Sequence, residues 1–197
     1  ASALEFVKEG AKVAIVDINA EVGRKAEADI QSVARDKRDV LFVQADVTQD
    51  EQVKAAVDAA VARFGKLNVL VNCAGGSVLE DAPVHEMSMD IWQRTINLNL
   101  LHPFLVCRHG IPHLIKAGGG SIVNFSSMVG MTGLYRPAYA AAKGGIMSFT
   151  KNGMREISDD VVFLANKEGL TAHSQSVAMR INEANHVAPH GHTLRVR

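Results

Sequence analysis

Short apolar runs separated by helix-length amphipathic stretches set the tightest limit on what this chain folds into. Val13-Ala14-Ile15-Val16, Val40-Leu41-Phe42-Val43, Val69-Leu70-Val71 and Ile122-Val123 are apolar at successive positions rather than alternate ones. A strand with two apolar faces is covered on both, and helices that cover both faces accompany a parallel sheet. The stretches between the runs have helical spacing. Ala3, Leu4, Phe6 and Val7 precede Gly10, and residues 20–35 follow the N-cap type Asn19. A further helix begins at Thr48 or Asp50, places Val53, Ala56, Val57, Ala60 and Val61 on one face, and ends at Gly65. Residues 88–116 read as one long helix that Pro103 and Pro112 are expected to kink. Strands are expected over residues 12–17, 40–43, 69–71 and 121–125, and a long small-residue helix over 137–156. The fold class is therefore α/β, a doubly wound parallel sheet.

A chain of 197 residues has room for one domain with a single core, and 47% hydrophobic content argues against disorder. The formal net charge is zero and no Lys/Arg stretch is present, which disfavours nucleic acid as a partner. No apolar run is long enough to span a bilayer, so no membrane partner is expected. Cys73 and Cys107 are isolated, as in a reduced, cytoplasmic protein, and neither has a CxxC partner that would indicate zinc. His186, His190 and His192 surround Pro189 and Gly191, which read as a turn; no metal site is expected.

The chemistry concentrates in Tyr139-Ala-Ala-Ala-Lys143 and in Ser127, which closes the run Ile122-Val123-Asn124-Phe125-Ser126-Ser127. Residues four apart share a helix face, so the phenol and the ammonium lie together. An ammonium roughly 5 Å from the phenol, at an effective dielectric of about 20, favours the phenolate by about 3 kcal/mol. A serine at the end of a parallel strand stands where open α/β sheets bind ligands, and its hydroxyl can hold an oxygen that gains or loses a proton. Ser126 is the weaker candidate beside it.

Asp17 after Val13–Val16, Asp46-Val47, Asn72-Cys73-Ala74-Gly75, Asn99, Ser127, Tyr139 and Lys143 occur in one order over residues 1–157. In that order they resemble the short-chain dehydrogenase/reductase family, whose fold is Rossmann-like. The resemblance implies hydride transfer between a secondary alcohol and a ketone with a nicotinamide cofactor and a small-molecule substrate. It implies a homo-oligomer, dimer or tetramer, and NAD in preference to NADP. Tyr139 would take the hydroxyl proton in oxidation, Lys143 would make the phenol more acidic and hold the nicotinamide ribose, and Ser127 would fix the substrate oxygen. Asn99 would bend its helix and bind a water leading to the lysine; Asn97 is a competing alignment. Asp17 would accept from the adenosine ribose hydroxyls, and Asp46 and Val47 would contact adenine, although Asp46 also reads as a helix-capping residue. Asn72, Ala74 and Gly75 would bring the backbone to the cofactor.

Departures from the family pattern carry expectations of their own. The first strand and its glycine-rich turn are missing, which leaves the neighbouring strands with unpaired edges and suggests a functional protein longer than this chain. Residues 158–197 are atypical within an expected single domain. Asp159–Ala165 reads as an amphipathic helix and Thr193–Val196 as a strand, in the reverse of the family order. An alternative is a non-catalytic truncated member that keeps only an oligomerisation surface. The expected interface pairs helices 88–116 and 137–156 through Ala138, Ala141, Ala142, Gly145 and Met147. Met128, Met131, Leu134 and Tyr135 would line an apolar substrate pocket suited to a steroid, a fatty acyl chain, a cyclic alcohol or a sugar-derived ketone.

Overall fold

A computed structural model describes residues 2–133, 136–156 and 161–168. Among the described residues, five strands and seven α-helices follow in order: α1 Ser2–Lys8, β1 Val13–Asp17, α2 Ala20–Gln31, β2 Val40–Gln44, α3 Asp50–Phe64, β3 Val69–Asn72, α4 Met89–Ile96, α5 His102–Lys116, β4 Gly120–Ser127, α6 Val129–Thr132, α7 Pro137–Glu156 and β5 Val161–Glu168. Every strand pairing is parallel, from Val13↔Val40 to Asp17↔Gln44, from Val69↔Ser121 to Asn72↔Asn124, and from Gly120↔Val161 to Ser127↔Glu168. The α/β expectation is met, because each continuous apolar run forms a strand flanked by helices.

The strands form two sheets, β1-β2 and β3-β4-β5. The edges of β1 and β3 are not paired with each other, and Val16 and Val69 remain 38% and 41% exposed. A cavity of about 640 Å³ lies between them, lined by Ala14, Val16, Val57, Leu70, Val71 and His102 among others. This matches the expectation of unpaired strand edges, here those of β1 and β3. The core is correspondingly divided. One cluster joins Leu70, Cys107, Leu114 and Ile122; the other joins Val7, Ile30 and Val40.

A buried polar ladder fastens β3 to β4 and α7. Asn72 and Asn124 face each other in register. Asn72 Nδ2 donates to Asn124 Oδ1 at 2.7 Å, and Asn124 Nδ2 donates to Thr150 Oγ1 at 3.0 Å. All three residues are at most 5% exposed. Asn124→Ala would strand the donor of Asn72 and the hydroxyl of Thr150, each at about 1–3 kcal/mol. A stability loss of about 3 kcal/mol in urea unfolding is the expected result. A loss below about 1 kcal/mol would show that the ladder does not hold these elements together.

Some sequence expectations need correction. From Val161 on, the segment expected as a helix at Asp159–Ala165 belongs to strand β5, which pairs with β4 over its whole length. A short apolar run fits either period, and Val161-Val162-Phe163 is rich in strand-forming types once a free edge is beside it. Helix α2 stops at Gln31 rather than at residue 35. The Ser32 hydroxyl donates back to Asp29 O at 2.6 Å, competing with helix continuation. The expected single helix opens into a π turn at Asn97–Leu101, just ahead of Pro103, and Pro112 sits inside α5. Pro103 has no N–H for the preceding turn, and His102 Nδ1, 2.6 Å from Leu98 O, supplies a donor there. Ala138 and Ala142, assigned to an interface, are fully buried within the chain. With Ile146 they form a stripe of three residues at four-residue spacing that faces the protein's own core. Helix α6 was not anticipated. Thr193–Val196, Leu134, Tyr135, His186, His190 and His192 lie outside the described residues.

Candidate active site

Parallel strands bring their carboxyl ends to one edge of a sheet. Asp17 and Gln44 end β1 and β2 side by side, Asn72 ends β3 beside Asn124, and Ser127 ends β4. Helix α7 packs against β4. Tyr139 and Lys143, one turn apart on α7, are 7% and 3% exposed. Lys143 Nζ lies 5.6 Å from the Tyr139 ring centroid, so the shared face read from their spacing is present. The same ammonium donates to Phe125 O at 2.8 Å, which fixes it against β4 rather than leaving it to sweep.

The two serines divide their work. Ser126 is 2% exposed, and its hydroxyl donates to Lys143 O at 2.8 Å. It is therefore a fastener between β4 and α7. Ser127 Oγ accepts only a long bond, 3.4 Å, from Val129 N.

Asn99 lies in the π turn and is fully buried. Its Oδ1 accepts from Gly76 N at 2.9 Å, while Nδ2 donates to Gly76 O at 2.9 Å and to Thr95 O at 3.0 Å. Both amide hydrogens are thus spent on backbone, and Asn99 ties the segment after β3 to the helix. Gly75 has φ +144, and a Cβ there would stand 2.7 Å from Asn99 Oδ1 and 3.6 Å from Lys143 Nζ. Only glycine lets the backbone come this close. Asn97 instead bonds Gln93 on the exposed side.

At the other end, Asp17 is exposed, with Oδ1 accepting from Asn19 N at 2.8 Å. Asp46 Oδ1 accepts from Thr48 N at 2.9 Å and Thr48 Oγ1 at 2.7 Å. This is a turn-forming carboxylate; the N-cap of α3 is Gln49. Val47 and Ala74 line the 640 Å³ cavity, whereas Asp46 lines a separate groove beside Arg94 and Asn97. Asn72 is turned inward to Asn124, so its side chain is structural and the backbone beyond it reaches the edge. Burial pushes the Cys107 thiol up to about 12 and His102 down to about 4, which keeps both neutral near pH 7. His102 Nε2 has no partner among the described residues. No group of three or more metal-binding side chains occurs among them, and no helix there is long and apolar enough to cross a membrane.

Sequence reasoning missed Ser126 as a fastener, Gly76 as the partner of Asn99, and Asp81, whose carboxylate meets the start of α7. None carries a local signature, since each acts on backbone distant in sequence.

Parallel strands with the buried Tyr139–Lys143 pair beside their carboxyl ends place these side chains where open α/β sheets bind ligands. The family model for short chain dehydrogenases matches residues 1–180, and the chain belongs to that family. The match extends beyond residue 157, where the motif resemblance stops. Trans-4-hydroxycyclohexanecarboxylate dehydrogenase of Sinomonas cyclohexanicum is 43% identical over 75% of this chain and 58% of its own length. A probable galactose dehydrogenase of Rhizobium meliloti is 38% identical over 79% of this chain and 59% of its own. The 3-alpha-(or 20-beta)-hydroxysteroid dehydrogenase of Mycobacterium bovis is 39% identical over 77% of this chain and 56% of its own. The chain therefore spans somewhat under three-fifths of the length of these relatives.

Proposed function

We propose that the protein interconverts a secondary alcohol and a ketone, with NAD preferred over NADP. The observation that carries this reading is the buried pair Tyr139 and Lys143, fixed on one helix face against the strand that ends in Ser127. Tyr139 is the proton acceptor in oxidation and the donor in reduction. The Lys143 ammonium favours the phenolate. Ser127 offers its hydroxyl to the substrate oxygen. Asn99 holds the Gly75–Gly76 backbone beside Lys143, which keeps the floor of the site in place.

The donor set fits the two ends of a nicotinamide dinucleotide. Lys143 and the close backbone at Gly75 suit the nicotinamide ribose, and the exposed Asp17 carboxylate suits ribose hydroxyls at the adenosine end. When bound, such a cofactor supplies the hydride acceptor or donor. A carboxylate at Asp17 repels a 2′-phosphate, which favours NAD. The isolated spacing of Cys73 and Cys107 in the sequence suits a reducing, cytoplasmic setting. Oligomerisation through α5 and α7 is part of the same reading, with Ala141, exposed on α7, available to a partner subunit.

Titration with NADH followed by fluorescence tests binding, and a panel of a hydroxycyclohexanecarboxylate, galactose and a hydroxysteroid tests turnover. Binding together with oxidation of a panel member is expected. No binding at millimolar NADH would refute the enzyme reading in favour of a non-catalytic member. Asp17→Ala should reduce the NAD-over-NADP preference in kcat/KM by about tenfold, the scale of a single charged hydrogen bond. An unchanged ratio would remove Asp17 from the ribose site.

A further inference from the structure

The start of α7 is held from outside the helix. Pro137 opens α7 and has no N–H, and the first intrahelical donor is Ala140 N, bonded to Arg136 O at 2.9 Å. The amides of Ala138 and Tyr139 therefore have no acceptor within the helix. Both are taken by one half-buried carboxylate from the segment after β3. Asp81 Oδ1 accepts from Ala138 N at 3.3 Å, and Asp81 Oδ2 accepts from Tyr139 N at 3.0 Å. The residue just before the helix, Arg136, has φ 56, an unfavourable backbone region for a residue with a Cβ. Its guanidinium donates to the hydroxyl of Ser77, on the same segment as Asp81. Gly76 of that segment is in turn bonded to Asn99.

We propose that Asp81 is a positioning residue for the acid–base reaction: its carboxylate caps α7 from a distant loop and fixes the backbone of Tyr139 relative to Lys143 and Ser127. This rests on the dehydrogenase reading above. A carboxylate at a helix N-terminus also complements the positive end of the helix dipole, and two charge-assisted bonds aim one helix end more narrowly than a single bond would. The segment from Gly76 to Asp81 then links Asn99 at one end to the Tyr139 backbone at the other. Asp81 touches no reacting atom; it acts through the helix it holds.

The test uses Asp81→Ala and Asp81→Asn in the full chain. Asp81→Ala removes both acceptors, and Asp81→Asn keeps one oxygen. Hydrogen exchange followed by NMR should show the amides of Ala138 and Tyr139 exchanging at least about tenfold faster in Asp81→Ala, while Ile122 in β4 keeps its protection. With the best panel substrate, kcat should fall on the order of 10–100-fold, the scale of a small misplacement of a reacting group. KM and the NADH dissociation constant should stay within about twofold, since a positioning defect acts on the reacting geometry. Asp81→Asn should recover part of the lost kcat. Unchanged exchange at the two amides, a kcat within about twofold of the parent, or Asp81→Asn falling as far as Asp81→Ala would each overturn the proposal. Should Asp81→Ala not fold, Asp81→Asn decides alone: faster exchange with a reduced kcat supports the cap, and parental values of both reject it. A parent that turns over no panel substrate refutes the dehydrogenase reading instead, and the exchange measurement still judges the cap.

Discussion

Tyr139→Phe should lower kcat by about a thousandfold, within the range of about 10²–10⁴ for losing a general acid–base group, while leaving the fold and NADH affinity close to those of the parent. The substitution deletes one oxygen and nothing else. The ring is 7% exposed and packs as phenylalanine would, and the Lys143 ammonium at 5.6 Å keeps an aromatic face beside it. What disappears is the atom that exchanges a proton with the substrate hydroxyl. Water is a poor replacement, because the site is largely buried. Single-turnover measurements with saturating dinucleotide separate the chemical step from binding, and the loss should appear there. A variant retaining more than about a tenth of parental kcat would place the acid–base group elsewhere.

The parts of this site that were legible in the sequence are those whose position follows from local spacing. Tyr139 and Lys143 share a face because an α-helix returns every 3.6 residues, and Asp17 and Ser127 end their strands because apolar runs end there. The sheet was legible for the same reason. The less legible features depend on partners remote in the chain. Strand β5 is decided by the free edge of β4, not by the ambiguous run Val161–Leu164. The π turn at Asn97–Leu101 follows from Pro103 and from the side chain of Asn99 reaching Gly76, a residue 23 positions away. The side-chain amide of Asn72 is committed to Asn124, 52 residues on, a partner that no local motif announces. Ala138 and Ala142 read as an interface because small residues permit close helix packing, and they do so against this chain's own core. Composition records which residues are small or polar; it does not record what lies opposite them.

The closest packing in the site leads to the second large effect, at Gly130. Helix α6 lies on α7, and a Cβ at Gly130 would stand 2.6 Å from both Gly144 N and the carbonyl carbon of Lys143. Those are backbone atoms, so no rotamer change relieves the clash, and the two helices must separate. The Lys143 carbonyl accepts the Ser126 hydroxyl at 2.8 Å, and the Lys143 side chain reaches Phe125 O at 2.8 Å. Separation therefore pulls directly on the backbone that aims the ammonium. Gly130→Ala should cost about 1–3 kcal/mol, the usual penalty for forcing volume into a packed site. For a chain of this length that is about 2–4 °C of Tm per kcal/mol. The same displacement should lower kcat by about a hundredfold. Gly144→Ala is the internal comparison, since its Cβ would meet Gly130 O at 3.1 Å, a tighter-than-usual contact that a few tenths of an ångström relieves. It should lose less stability and less activity than Gly130→Ala. Equal effects in the two variants would mean that α6 tolerates displacement from α7. A Gly130→Ala variant with parental Tm and kcat would mean that the helix contact does not govern the placement of Lys143.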